Sequence, residues 1–332
     1  MKVVDKYRRT HDYLRISITD RCNSNCFYCN PQSVETKFNN KTELLSYDEI
    51  FRLASIFVNK LEFKKIRITG GEPFVKKDIG ELFNYLHILK KDQPFELAIT
   101  TNGTLLNGNI GELINSGLDR INFSLDSLKP DKYLKITGQN LLDKVLHNIE
   151  EAKKYKFEKI KINTVVINNY NDDEIFDFLD FAFRTGCEIR FIEYMPFSGN
   201  GYDKDKFIPS EDIRNIIKKM YTLEPIKIEN NSVSRDFYIK ELNIKVGFIS
   251  AISDHFCESC NRLRLTAYGK LKLCLFSRKD NEIDLRELLQ KGFEDDDIAS
   301  IIVNKIQSKE FTHPEFDELI TLKNENIISI GG

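Results

Sequence analysis

Six of the seven cysteines fall into two groups of three. Thiolates at such spacing bind metal. The first group, Cys22-x3-Cys26-x2-Cys29, lies in the run Thr19-Asp20-Arg21-Cys22-Asn23-Ser24-Asn25-Cys26-Phe27-Tyr28-Cys29-Asn30-Pro31. Three thiolates can hold three irons of a four-iron cluster and leave the fourth open to a ligand, whereas electron-carrying clusters usually take four cysteines. Zinc is the competing reading, but it needs a fourth ligand in tetrahedral reach, and the nearest histidine, His11, lies beyond the far end of the preceding strand. The second group, Cys257-x2-Cys260-x13-Cys274, again shows no obvious fourth cysteine. Zinc competes more strongly there, because His255 is close and Cys-x2-Cys is a common zinc knuckle. Cys187, at a helix-to-strand junction, reads as a small buried residue.

The rest of the composition narrows the partners. Lys and Arg total 49 against 51 Asp and Glu, a net charge of -2, so nothing draws the whole chain to nucleic acid or an anionic membrane. Any anion must be met by a local cluster of cations. No apolar run approaches the roughly 20 residues of a membrane span, and Met1 to Thr10 is charged where a signal peptide would be apolar. A cytoplasmic location is therefore the expectation, and cysteines there serve metal or redox chemistry rather than disulfides.

Strand-like runs alternate with helix-length segments through the first two thirds, the pattern of a parallel α/β sheet. The strands are expected at Leu14–Asp20, Lys65–Gly70, Glu96–Thr101, Arg120–Asp126, Lys159–Ile167 and Glu188–Met195. The capping box Ser46-Tyr47-Asp48-Glu49 opens one helix, another starts near Asp78, and Asn171 precedes a third. After about Pro196 the alternation stops, and a helix near Ser210–Met220 leads into strand-like runs and the second cysteine group. The expected architecture is an α/β fold: a partial (βα)6 TIM-like barrel over residues 1–196, with a C-terminal α+β layer over 197–332.

Buried parallel strands usually read as continuous apolar runs, yet these alternate. Leu14, Ile16 and Ile18 oppose Arg15, Ser17 and Thr19. Ile66 and Ile68 oppose Arg67 and Thr69, Ile121, Phe123 and Leu125 oppose Asn122, Ser124 and Asp126, and Ile160 and Ile162 oppose Lys161 and Asn163. With helices over the apolar face, the polar face lines a cavity suited to a charged ligand. The first cysteine loop follows the C-terminal end of a strand, where α/β barrels place their chemistry.

The array C-x3-C-x2-C with an aromatic before the last cysteine resembles the signature of the radical SAM superfamily (SAM, S-adenosylmethionine). Thr69-Gly70-Gly71-Glu72-Pro73 resembles its GGEP segment. The run His255-Phe256-Cys257 through Asn261-Arg262-Leu263-Arg264-Leu265-Thr266, with the terminal Gly331-Gly332, narrows the resemblance to the GTP 3′,8-cyclase family of molybdenum cofactor biosynthesis. It extends from about Leu14 to the last residue and includes Leu14-Arg15-Ile16-Ser17-Ile18-Thr19-Asp20-Arg21-Cys22 and Arg190-Phe191-Ile192-Glu193-Tyr194-Met195. Tyr268 and the glycine-poor segment before Gly247 depart from the family pattern without touching a candidate ligand.

The resemblance implies two 4Fe–4S clusters, one on Cys22, Cys26 and Cys29 and one on Cys257, Cys260 and Cys274. The first would bind SAM and give a 5′-deoxyadenosyl radical that takes the ribose 3′ hydrogen of GTP, after which the sugar radical adds to guanine C8. The second would bind and orient the purine. The resemblance further implies that Tyr28, Gly71, Glu72, Ser124 and Met195 contact SAM, and that Arg15, Arg67, Thr100, Lys161, Arg190, Arg262 and Arg264 hold GTP. Of these, Arg15, Arg67 and Lys161 also fall on the polar strand face. There is no P-loop, so side chains rather than a glycine nest would hold the triphosphate. Arg15, Arg67, Gly331 and Gly332 are the expected catalytic set, the glycine pair entering the barrel on an apolar tail. A low-potential electron donor, a downstream pterin synthase and a homodimer are the expected partners. A peptide-modifying radical SAM maturase would carry more C-terminal cysteines and need no interior arginines. An RNA-binding zinc module using Arg262 and Arg264 is opposed by the neutral charge.

Overall fold

The alternation of apolar and polar residues appears directly as two faces of one sheet. The structure, a computed structural model, describes residues 1–29, 44–197, 200–227, 232–277, 281–321 and 327–331. Val3–Val4 (β1) pairs with Thr10–His11 (β2) in a small ribbon. The six expected strands follow as β3 (Tyr13–Ser17), β4 (Lys65–Thr69), β5 (Glu96–Thr101), β6 (Arg120–Ser124), β7 (Lys159–Val166) and β8 (Glu188–Glu193), each parallel to the next. Their outer residues, among them Leu14, Ile16, Ile68, Ile121, Phe123, Ile162, Ile189 and Phe191, are at most 1% exposed and pack with Leu53, Phe57, Phe83, Ile149 and Phe178 in one apolar cluster.

Local signals set the covering helices. Helix Tyr47–Ser55 opens on a complete capping box: Glu49 N–H donates to Ser46 Oγ at 3.1 Å, and Ser46 N–H to Glu49 Oε2 at 2.8 Å. Helix Ile79–Asp92 begins after Asp78, and a 3₁₀ turn at Asp172–Glu174 leads from Asn171 into helix Ile175–Thr185. Helix Ser210–Ile217 falls within the expected segment. Among the described residues, no helix is long and apolar enough to cross a membrane.

Strand β3 ends three residues before the expected boundary. Beyond Ser17 the backbone bonds to the turn after β4: Gly71 N–H donates to Thr19 O and Glu72 N–H to Arg21 O, both at 2.8 Å. The chain therefore leaves the sheet and enters the cysteine loop already pinned.

The C-terminal strands are Leu223–Pro225 (β9), Arg235–Ile239 (β10), Ile244–Ile249 (β11), Arg262–Leu265 (β12), Lys270–Lys272 (β13) and Glu282–Asp284 (β14). They continue the barrel sheet on both sides, in the order β14-β13-β12-β3-β4-β5-β6-β7-β8-β11-β10-β9. β12 lies parallel to β3 and β11 parallel to β8, while the outer strands are antiparallel. The C-terminal α+β region is thus hydrogen-bonded to the first and last strands of the partial barrel.

Glu193, at the end of β8, fixes one of those junctions. Its carboxylate is fully buried and accepts from Ser210 N–H at 2.8 Å, Ile252 N–H at 2.9 Å, Ser253 N–H at 3.0 Å and the Ser253 hydroxyl. Glu193→Ala would leave the buried Ser210 amide and the partly buried amides of Ile252 and Ser253 without this acceptor, at about 1–3 kcal/mol for the buried one and less for each of the others. We expect denaturant titration to show a loss of about 3 kcal/mol or more; a loss below about 1 kcal/mol would mean that water replaces the carboxylate.

Candidate active site

The first cysteine group sits beyond the C-terminal end of β3, held by loops from the next strands. Asn102, after β5, donates through Nδ2 to Asn23 Oδ1 at 2.9 Å and Ser24 Oγ at 3.2 Å, and lies 3.9 Å from Cys22 Sγ. Ser24 N–H donates to the same sulfur at 3.4 Å. Gly71 has no room for a side chain, because an added Cβ would overlap the carbonyl of Arg21. The close approach that requires glycine here is to the cysteine loop itself. Glu72 is 1% exposed and accepts from Thr101 Oγ1 and Asn102 N–H, both at 2.7 Å, and from Phe74 N–H at 3.2 Å. Burial pushes its carboxyl up to about 7.

Tyr28 donates through its hydroxyl to Asp126 Oδ2 at 2.6 Å, and its carbonyl accepts from Asn200 Nδ2, which also bonds Met195 O at 2.9 Å. Tyr28, Asp126 and Met195 are thereby brought to one end of the barrel, and Ser124, at the end of β6, lies two residues before Asp126. Burial pushes Cys22 up to about 11, and burial with the Asp126 carboxylate raises Cys26. A positively charged metal partner would displace the protons of these thiols.

Between the strands lies a band of cations. The register sets Arg264 beside Arg15 and Arg15 beside Arg67, and then Thr100 beside Asn122, Asn122 beside Lys161, and Asn163 beside Arg190. Arg67 is 5% exposed; it donates from Nε to the Tyr13 hydroxyl at 2.7 Å and from Nη1 to Thr100 Oγ1 at 3.2 Å. Burial and the like charges of Arg15 and Arg262 push Arg264 well down. Lys161 is the exception, since it pairs with Glu188 at 2.8 Å. Among the described residues, the buried Nε of Arg262 and the side-chain oxygens of Asn122 and Asn163 have no hydrogen-bond partner, which suits a cavity built for a polyanionic, polar ligand.

Tyr13 escaped the sequence reading, although it shares the strand parity of Arg15. Burial opposes its ionisation, but Arg67, Arg15 and Lys65 outweigh that and bring the phenol to about 7, below its ordinary 10. A depressed acid adds stability as pH rises above about 7, fully present above 10 and lost as pH falls through 7. We expect ultraviolet difference titration of the metal-free protein to reveal one phenol titrating near 7 that is missing in Tyr13→Phe. A triphosphate that takes up the Arg67 guanidinium should move it upward. If every tyrosine titrates near 10, the cation cluster is not closed around Tyr13.

The second cysteine group lies at the opposite end. Cys260 stands two residues before Arg262, which is level with Tyr13 at the start of β3, whereas Cys22 follows the end of β3. The arginines therefore lie between the two groups, along a strand of five residues at about 3.3 Å each. Arg262 stacks 4.6 Å from the Phe256 ring centre, with Nη2 4.0 Å from Cys260 Sγ. A strap at Lys309–His313 closes the outside: Lys309 Nζ lies 3.6 Å from Cys260 Sγ, and the His313 amide reaches Cys257. Arg9 clamps the strap, donating to Cys257 O and Phe311 O at 2.8 Å. A cavity of about 510 Å³ lies against this group, lined by all three cysteines, Arg9 and the strap. No motif drew attention to Arg9, Asn102 or Lys309, because their roles arise only from contacts distant in sequence. Cys187 is buried, as expected of a packing residue.

The tail reaches the barrel interior at Gly331. Gly331 O accepts from Arg264 Nη1 at 3.0 Å and Arg15 Nη2 at 3.4 Å, and Ile330 packs with Phe197, Phe276 and Leu319. Gly332 lies outside the described residues.

A cubane takes one thiolate per iron, and a group of three cysteines suits that chemistry with one iron left open.

Residues 16–182 match the Radical SAM superfamily, and residues 187–315 match Molybdenum Cofactor Synthesis C. A GTP 3′,8-cyclase from Syntrophomonas wolfei subsp. wolfei is 41% identical over 315 residues, covering 94% of this chain and 94% of that protein. Molybdenum cofactor biosynthesis protein 1 of Dictyostelium discoideum is 40% identical over 99% of this chain, which spans 52% of that protein's length. In structure, Streptococcus suis SuiB bound to S-adenosylmethionine matches 96% of this chain and 79% of its own, with a TM-score of 0.63 at 16% identity, a likeness of fold.

Proposed function

The chain belongs to the GTP 3′,8-cyclase family of the radical SAM superfamily, and from that premise we propose that it converts GTP to (8S)-3′,8-cyclo-7,8-dihydroguanosine 5′-triphosphate through two iron–sulfur clusters facing each other across one cavity. The observation that carries this reading is the band of cations, buried Arg67 and Arg264 with half-buried Arg15 between them, lying between two cysteine groups at opposite ends of the same strands.

Cys22, Cys26 and Cys29 would hold the cluster that, with SAM, would supply radical chemistry at the ribose 3′ carbon. Tyr28, Gly71, Glu72, Ser124 and Met195 form the SAM end of the cavity. Arg15, Arg67, Thr100, Arg262 and Arg264 hold the triphosphate, and Lys161 and Arg190 face it from β7 and β8. The forked guanidiniums suit phosphate oxygens and fix the ribose relative to the SAM end. Cys257, Cys260 and Cys274 would hold the cluster that orients the purine, and Gly331 completes the wall that keeps out water. Residues 1–196 thus carry the radical-generating half and 197–332 the substrate-orienting half. The reaction also draws on a low-potential electron donor and hands its product to a pterin synthase.

The test is anaerobic reconstitution with iron and sulfide, followed by incubation with GTP, SAM and dithionite. The reading requires two four-iron clusters per chain and formation of the cyclic triphosphate together with 5′-deoxyadenosine. SAM cleavage that leaves GTP unchanged would overturn the substrate assignment. A further expectation concerns affinity: Arg67→Ala or Arg264→Ala weakens GTP binding by about 1.5–3 kcal/mol, with SAM binding little changed. Calorimetry that finds GTP affinity unaltered would return these arginines to a structural role.

A further inference from the structure

The two cysteine groups sit in opposite electrostatic surroundings. Around the first, the donors within reach of the Cys22 sulfur among the described residues are neutral, Ser24 N–H and Asn102 Nδ2. Around the second, Arg262 and Lys309 both approach Cys260.

Of these two cations, Lys309 is the one not accounted for by substrate binding. It is 3% exposed and arises from the strap outside the barrel rather than from an inward-facing strand position. Its ammonium is fixed by Arg262 O at 2.9 Å and lies 3.6 Å from Cys260 Sγ. Among the described residues no carboxylate pairs with it, and the negative groups that act on it are Cys260 and Cys274. A buried lysine without a carboxylate is costly, so its counter-charge must come from what the cysteines hold. A cluster on three thiolates gains one negative charge on reduction, and hydrogen bonds and positive charge at its sulfurs stabilise the reduced form.

We propose that Lys309 is a positioning residue that sets the reduction potential of the C-terminal cluster: its ammonium donates to the Cys260 sulfur and makes that cluster easier to reduce. The inference rests on the reading that Cys257, Cys260 and Cys274 hold an iron–sulfur cluster. GTP need not touch Lys309 for this effect, so substrate binding is a separate readout.

The experiment is an EPR-monitored reductive titration of the reconstituted full chain, comparing the unaltered protein with Lys309→Met, Lys309→Gln and Lys309→Arg. Iron and sulfide are counted in each, and GTP affinity is measured in parallel. Lys309→Met is expected to disfavour reduction of one cluster about tenfold, a fall of about 59 mV for one electron, while the other cluster and GTP affinity stay unchanged. Lys309→Arg should restore the potential. Should the methionine variant fail to hold the cluster, the neutral donor in Lys309→Gln is read instead, and its potential must still lie below that of the unaltered protein. Both clusters present at unaltered potential in the Met or Gln variant would overturn the inference. A single cluster, or zinc, in the unaltered protein would instead refute the premise about the second cysteine group.

Discussion

Cys26→Ala is expected to reduce SAM cleavage to background while the protein stays folded. With Cys26 gone, two protein thiolates remain at the first site, too few to hold a four-iron cluster with one iron open. The fold does not depend on that cluster, because the loop is anchored independently. Asn25 N–H bonds Thr137 O at 2.9 Å, Asn102 ties down Asn23 and Ser24, and Gly71 and Glu72 bond the backbone before Cys22. Removing one partly exposed thiol should therefore cost no more than about 1–2 kcal/mol of stability. The measurement is 5′-deoxyadenosine release with dithionite, beside a thermal melt. Retained cleavage in a folded Cys26→Ala protein would refute the ligand assignment.

The second large effect is expected at the tail. Gly331 has φ +72°, and an added Cβ would stand 2.9 Å from Ser17 Cβ and 3.0 Å from Thr69 Cγ2. Both the conformation and the space require glycine. Gly331→Val should expel the tail from its place against Ser17 of β3 and Thr69 of β4, freeing Arg15 and Arg264 from the Gly331 carbonyl and opening the cavity to water. We expect both clusters to assemble and SAM to be cleaved without productive coupling, but the cyclic product to disappear. Deleting Gly331 and Gly332 should do the same, and a synthetic peptide of the tail should partly restore product when added in trans. Full turnover by either variant would show that the inserted tail is dispensable.

The sequence made the six barrel strands legible because each carries its own signal: a period of two, with β-branched residues on one face. Arg15, Arg67 and Lys161 followed from the same parity. Tyr13 carried that signal too and was passed over, since an aromatic residue at a strand start reads as core. The pairing of β12 with β3 had no local signal, because parallel partners about 250 residues apart share no turn. Lys161 illustrates another limit. Its parity placed it facing inward, but its ion pair with Glu188 depends on the register between β7 and β8. Glu193, Asn102, Arg9 and Lys309 are single polar residues whose partners lie in distant segments, so no spacing distinguishes them from solvated surface residues.

The pairing of the last parallel strand with the first also fixes an order of assembly. During synthesis, β3 can acquire β4 as soon as both have emerged, and the cysteine loop between them can close. Its other edge keeps its backbone donors and acceptors unpaired until β12 emerges, some 190 residues after β4, and that long-range closure is entropically slow. The site that opens the reaction can therefore take up iron on a nascent chain, while the site at the other end comes together only when synthesis is nearly complete. A chain truncated before residue 262 would leave β3 as a bare sheet edge, a template for aggregation, and could not complete its second cysteine group.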